Sequence, residues 1–267
     1  MDLAKASVEQ AQIFVLILVR VGVLFMAAPI LGHARIPVAV KAGMTVLVAM
    51  LLMFSLNARG LVFPEKAVSN IFSLTGAVFG ELFVGLAIAY TAYLFFSGIQ
   101  MAGQIIDIQM GFGLVNVIDP VNNVQISILG EFYYILAMLY FLALNGHHYL
   151  LKALGDSYRL IPPGSLNWFQ HASSIGPELA NFFTKLFVIA VQVAGPSVAV
   201  LFLTNLTMGL LSRTIPQMNV FIVGLPANVL VGLAVSIVSM KFMGTILRSV
   251  VDSMGESIAR LLHSLVA

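Results

Sequence analysis

Six long apolar stretches constrain this chain more than anything else in it: roughly Ala11 to Gly32, Val38 to Leu56, Ala67 to Ile99, Phe132 to Leu151, Leu186 to Leu211 and Val220 to Met240. About 20 apolar residues are needed to cross the hydrocarbon core of a bilayer as a helix, and each stretch reaches or approaches that length. In lipid, backbone N–H and C=O groups must be paired inside the protein, which limits such stretches to helices. The expected fold class is therefore all-α, a polytopic membrane protein of long, kinked helical hairpins. The third stretch is far too long for one straight crossing. It contains Glu81 and continues past Gln100 into Gln104, Asp107 and Gln109, as expected of a long helix or helix pair reaching beyond the bilayer.

Composition supports the same class. The 267 residues are 60% hydrophobic and 9% charged, with mean hydropathy +1.02, whereas a soluble domain carries about 25% charged residues. The net charge of +2 is spread along the chain, which argues against a nucleic-acid partner, since that needs a clustered basic face. The absence of cysteine excludes a disulfide framework, a thiolate metal site and a cysteine nucleophile. At the N-terminus, Asp2 and Glu9 flank Lys5, and Arg20 interrupts the first apolar stretch. This is unlike a signal peptide, so the first helix is expected to be retained. Without a linker or charge block, residues 1–267 are expected to form a single membrane domain. The polar interval from Lys152 to Lys185 is then a structured connection.

Between Lys66 and Lys152 there is no lysine or arginine, yet Glu81, Asp107, Asp119 and Glu131 lie there. In its middle, Met110 to Gln125 is rich in Gly, Asn and Asp-Pro and cannot be a plain lipid-facing helix. A positive-inside count over six spans places Lys5, Arg59, Lys66, Lys152, Arg159, Lys185, Lys241, Arg248 and Arg260 on one side, and Arg35, Lys41 and Arg213 on the other. That count puts both termini inside, and both the 110–125 loop and the Arg213 turn outside. Arg20, near mid-span, costs about 2.5 to 3.5 kcal/mol on insertion scales unless it is paired or snorkels.

An acid within an apolar span marks either an ion pathway or a pairing. Glu81, Asp107, Asp119 and Glu131 could handle ions or protons, or could bond to neighbours, to Arg20 or to Lys41. No catalytic arrangement emerges. Adjacent His147 and His148 point about 100° apart on a helix, and zinc ligands need other spacings. The stretch from Asn145 to His148 reads instead as a helix end or bend. His33, His171 and His263 have no carboxylate or histidine at ligand spacing. Gly76 and Gly80, with Gly85 beyond, form a Gly-x-x-x-Gly pattern that allows close helix packing. Gly195-Pro196 and Gly224-Leu-Pro226 predict kinks. The thirteen methionines suit either core packing or a deformable seal. From Lys241 to Ala267 the tail is amphipathic, with Phe242, Ile246, Val250, Ile258, Leu261, Leu262 and Leu265 at helical spacing.

Three segments in order carry a family resemblance: Gly103-Gln-Ile-Ile-Asp-Ile-Gln-Met-Gly-Phe112 leading to Asp119-Pro120, then Leu142-Ala-Leu-Asn-Gly-His-His-Tyr149, and Leu210-Leu-Ser-Arg-Thr-Ile-Pro-Gln-Met-Asn-Val-Phe221 followed by Gly224-Leu-Pro226. Together they resemble the FliR family of flagellar type III export proteins. The resemblance implies a non-enzymatic subunit of the export gate in the bacterial inner membrane, without a cofactor. Its implied partners are FliP-like, FliQ-like and FlhB-like subunits, unfolded export substrates and membrane lipid.

It also implies a FliP-like part over residues 1–185 and a FliQ-like hairpin over 186–240, with the amphipathic helix read from spacing over 241–267 following them. The family's pore plug corresponds here to about 110–125: Met110, Gly111, Phe112, Gly113, Leu114, Val115, Asn116, Val117, Ile118, Asp119, Pro120, Asn122 and Asn123. Its entrance hairpin and subunit contacts correspond to Arg213, Pro216, Gln217, Met218, Asn219 and Phe221. This places the Arg213 turn at the cytoplasmic entrance, opposite to the positive-inside count. Two further readings stand beside the flagellar one: the equivalent subunit of a virulence injection apparatus, and an ion-coupled small-solute transporter.

Overall fold

The structure is a computed structural model that describes residues 2–58, 71–112, 127–166, 168–215, 217 and 219–265. Among them are seven helices and no strand: α1 (Asp2–Ala27), α2 (Val38–Ala58), α3 (Ile71–Met110), α4 (Ile128–Ala143), α5 (Gly146–Leu160), α6 (Trp168–Thr214) and α7 (Val220–Ser264). The chain is an all-α, multi-pass membrane protein. Five helices are long and apolar enough to cross a bilayer, and α4 with α5 supplies a sixth if the two count as one broken span. The fourth apolar stretch is split because Asn145 takes a left-handed conformation, φ 56°. This is the bend expected from Asn145 to His148.

Three helices exceed what a bilayer requires. α3 has 40 residues, α6 has 47 and α7 has 45. At 1.5 Å per residue they run roughly 60 to 70 Å, about twice the hydrocarbon thickness. α6 begins well before its apolar stretch and passes through Pro177 and Pro196, and α7 passes through Pro226 and continues to Ser264. The tail expected as an amphipathic helix is thus the end of α7. Its buried stripe is Met243, Leu247, Val250, Met254, Ile258, Leu261 and Leu265. Phe242 lies one position off that stripe, is rotated about 100° from it, and is exposed.

The chain forms two compact units that interleave along the sequence. The first takes residues 1–94, 145–182 and 252–267, and so includes α1, α2, residues 71–94 of α3, α5, the start of α6 and the end of α7. Its core is built from Leu16, Ile17, Leu24, Val84, Ile88, Leu150, Leu154 and Tyr158. α1 and α2 join through a turn in which Ile30 has φ 56° and the Lys41 ammonium donates to the Gly32 carbonyl at 2.8 Å.

The second unit takes residues 95–144 and 183–251. It holds the end of α3, α4 and most of α6 and α7. Phe96 packs edge-on against Tyr134 and Phe141. In this unit α6 and α7 form an antiparallel hairpin. The Asn228 amide donates to Asn205 at 2.7 Å, and the two residues lie at nearly equal distances from the turn.

Candidate functional site

Two buried polar centres stand out, one in each unit. In the first unit Arg20 of α1 is fully buried, and its guanidinium meets the Glu81 carboxylate of α3 with both oxygens. Nε donates to Oε2 at 2.6 Å and Nη2 to Oε1 at 3.0 Å. All three guanidinium nitrogens are engaged, through four of the five N–H donors. Nη1 reaches Ser157 Oγ and Nη2 the Ile161 carbonyl, both at 3.0 Å. The Ser157 hydroxyl donates to the Leu154 carbonyl, and Gly164 N–H donates to Glu81 Oε1. The Tyr158 ring lies 4.2 Å from the guanidinium carbon, and its hydroxyl donates to the Ile17 carbonyl.

A buried ion pair is tolerated when its geometry is bidentate and additional hydrogen bonds satisfy its other positions, as Ser157, Ile161 and Gly164 do here. Gly85 lets the two helices meet at this level. A Cβ there would lie 2.7 Å from the Arg20 carbonyl oxygen. Gly80 is buried as well, whereas Gly76 is exposed with open space around it.

In the second unit the centre is Asp107. The C-terminus of α3 closes with Gly111 in the left-handed region, φ 91°. Phe112 N–H bonds to the Asp107 carbonyl at 3.0 Å and Gly111 N–H to the Ile108 carbonyl at 3.1 Å. This pair of bonds is a Schellman cap. The carboxylate of the same residue faces the start of α4. Its Oδ2 accepts from Ser127 Oγ at 2.5 Å and from Leu129 N–H at 3.1 Å. Ser127 is the N-cap of α4, and its oxygen accepts from Gly130 N–H.

Gly103 and Gly130 allow this closeness, because a Cβ on Gly103 would fall about 2.5 Å from the Gly130 backbone. Asp107 is 5% exposed, and its Oδ1 has no partner among the described residues.

Met110 was expected to open the central loop. It is instead the last residue of α3, fully buried, with its thioether against Gly232 of α7. Gly111 and Phe112 form the turn that follows. The other positions expected to form a plug, Gly113, Leu114, Val115, Asn116, Val117, Ile118, Asp119, Pro120, Asn122 and Asn123, lie outside the described residues, as do Pro216 and Met218.

In the hairpin turn Arg213 and Gln217 are exposed. Asn219 caps α7: its carbonyl accepts from Ile222 and Val223 N–H, and its side-chain oxygen accepts from Ile222 N–H. Phe221 lies in the first turn of α7. Glu131 is exposed in the first turn of α4. The His147 and His148 rings lean together at 4.2 Å between centroids, and no group that could hold a metal occurs among the described residues.

Sequence reasoning singled out Arg20, Glu81 and Asp107 but missed their partners Ser157, Tyr158 and Gly164. Ser127 had a local signal, since a serine directly before an apolar helical run is an N-cap pattern.

The family described as bacterial export proteins, family 1, matches residues 11–254. The chain belongs to the FliR family. FliR chains similar to it include that of Bacillus subtilis (strain 168), 33% identical over 93% of this chain and 94% of that one. The FliR of Escherichia coli (strain K12) is 31% identical over 81% of this chain and 80% of its own length. That of Aquifex aeolicus (strain VF5) is 33% identical over 60% of each. In this FliR-family chain both buried centres fall within the matched region, and so do the three sequence segments that carried the resemblance.

Proposed function

We propose that this chain is a structural and gating subunit of the flagellar type III protein export channel in the bacterial inner membrane, where it helps pass unfolded flagellar subunits. It is a non-enzymatic component that works with other parts of the export apparatus. The observation that carries this reading is similarity along nearly the whole length to chains named flagellar biosynthetic protein FliR. That naming also favours the flagellar system over a virulence apparatus.

Its partners on this reading are FliP-like and FliQ-like chains in one gate, with a FlhB-like chain near the entrance. Residues 1–185 supply the FliP-like part and 186–240 the FliQ-like hairpin, a division supported by the antiparallel pairing of α6 with α7. The Arg213 to Phe221 turn lies at the entrance. The 110–125 interval acts as the plug, and the caps at 107–112 and 127–130 support this by giving that interval two fixed ends.

The transporter reading loses its two leading acids. Glu81 is held in three hydrogen bonds from Arg20 and Gly164, and Asp107 Oδ2 accepts from the start of α4. Deleting the gene from its own host is expected to abolish filament assembly and secretion of filament protein, and the tagged chain is expected to co-purify with FliP-like and FliQ-like chains. Normal secretion in the deletion strain overturns the proposal.

A further inference from the structure

We propose that Asp107 is a two-ended latch, the positioning residue that fixes the C-terminus of α3 to the N-terminus of α4. The latch consists only of described residues and stands apart from the closure reading of the central interval given above. Its main-chain carbonyl takes the Phe112 N–H that ends α3, and its carboxylate takes the Ser127 hydroxyl and the Leu129 N–H that begin α4. A side chain in sequence neighbourhood with one helix end therefore supplies the missing acceptor of the other. Both ends depend on one Cα position.

Three features make the arrangement specific. A carboxylate at a helix N-terminus meets unpaired N–H groups and the positive end of the helix dipole, so α4 favours an anionic or strongly accepting oxygen there. Ser127 Oγ serves as acceptor for Gly130 and donor to Asp107, so the two side chains form a relay, Gly130 N–H to Ser127 to Asp107. The backbones are in contact at Gly103 and Gly130, and Met110 is seated on Gly232, so α3 has no slack next to the latch.

Only Oδ2 is used, while Oδ1 is buried and unpartnered among the described residues. An amide oxygen could take the place of Oδ2, with the NH2 on the unused side. The latch thus needs an acceptor of aspartate length more than it needs a charge.

The test exploits the absence of native cysteine. Ile108 and Ile128, 70% and 61% exposed, flank the latch and can be replaced by spin-labelled cysteines in the full chain, co-expressed with the other export-gate subunits of its host. The inter-label distance distribution is expected to be narrow in the parent and in Asp107→Asn, and roughly twofold broader in Asp107→Ala, because the freed start of α4 samples more states. Ser127→Ala should broaden it to an intermediate extent, and it carries the test if Asp107→Ala fails to accumulate. Rescue by Asn separates an acceptor role from general destabilisation. An unchanged distribution in the Ala variants, or a broadened one in Asp107→Asn equal to that in Asp107→Ala, overturns the latch. Ion leak across the membrane, measured on the same strains, tests the closure reading separately: broadening without leak removes that reading and leaves the latch standing.

Discussion

Arg20 shows why a charge can persist in the middle of an apolar helix. Alone at mid-bilayer it would cost about 2.5 to 3.5 kcal/mol on insertion scales. Here Glu81 neutralises it in a fork geometry and Ser157 and Ile161 take two further donors. Removing one partner leaves the other charge buried without compensation, a change that costs about 3 to 5 kcal/mol, whereas replacing both by apolar residues is often near neutral. Arg20→Leu and Glu81→Leu should each therefore lower the membrane level and detergent melting temperature of the chain, and the double variant should recover much of the loss. A double variant as damaged as the singles together contradicts this account.

Glycine spacing yields a second test at the same scale. Gly85→Leu forces a side chain against the Arg20 backbone and should destabilise by about 1 to 3 kcal/mol. Gly76→Leu, in open space, should stay within about 0.5 kcal/mol of the parent. Equal melting temperatures for the two variants would remove the distinction between them.

The helix ends of the second unit are set by caps. Gly111 at φ 91° closes α3, and any residue with a Cβ there pays about 1 to 2 kcal/mol of left-handed strain. Asn219 closes the start of α7, and losing such an N-cap costs about 1 kcal/mol. Asn219→Ala, and Gln217→Ala in the exposed turn beside it, should weaken filament-protein export while membrane insertion stays at the parental level. Export assays paired with immunoblots of membrane fractions would decide this, and wild-type motility in both variants would sink it.

Elements like these were unevenly legible in the sequence. Among the described residues each of the six apolar stretches falls mostly on helix, because a span must be apolar over most of its length. The break at Asn145 was legible because Asn and Gly favour a turn. The extents of α6 and α7 were not. Hydropathy follows apolar content, whereas their outer turns are polar or amphipathic and continue the same hydrogen-bond ladder. Met110 read as loop because Gly-Phe-Gly follows it, yet Gly111 is the cap and leaves Met110 helical. Ser157 and Gly164 left no local trace as partners, since they meet Arg20 and Glu81 across 137 and 83 residues of chain.

For the molecule as a whole, the long helices alter the meaning of the apolar stretches. Elements of roughly 60 to 70 Å need only half their length to cross a bilayer, so the remainder must be covered by protein or water. Large side chains are exposed all along the hairpin, among them Phe202, Leu206, Ile222, Leu230 and Ile237, and this suits a chain that is one part of a larger assembly. The basic-free interval then has a functional sense beyond topology. Residues 113–126 join two capped helix ends and contain one charge, Asp119, which suits contact with passing chains of varied sequence. On the proposed function, deleting Gly113 to Asn122 removes apolar bulk from the closed channel without touching either cap. The assembled gate should then leak ions or small molecules while the chain still reaches the membrane and still binds its neighbours. Conductance of the purified assembly in planar bilayers, with the intact assembly as the control, gives the readout, and an undiminished barrier after the deletion would rule out the plug.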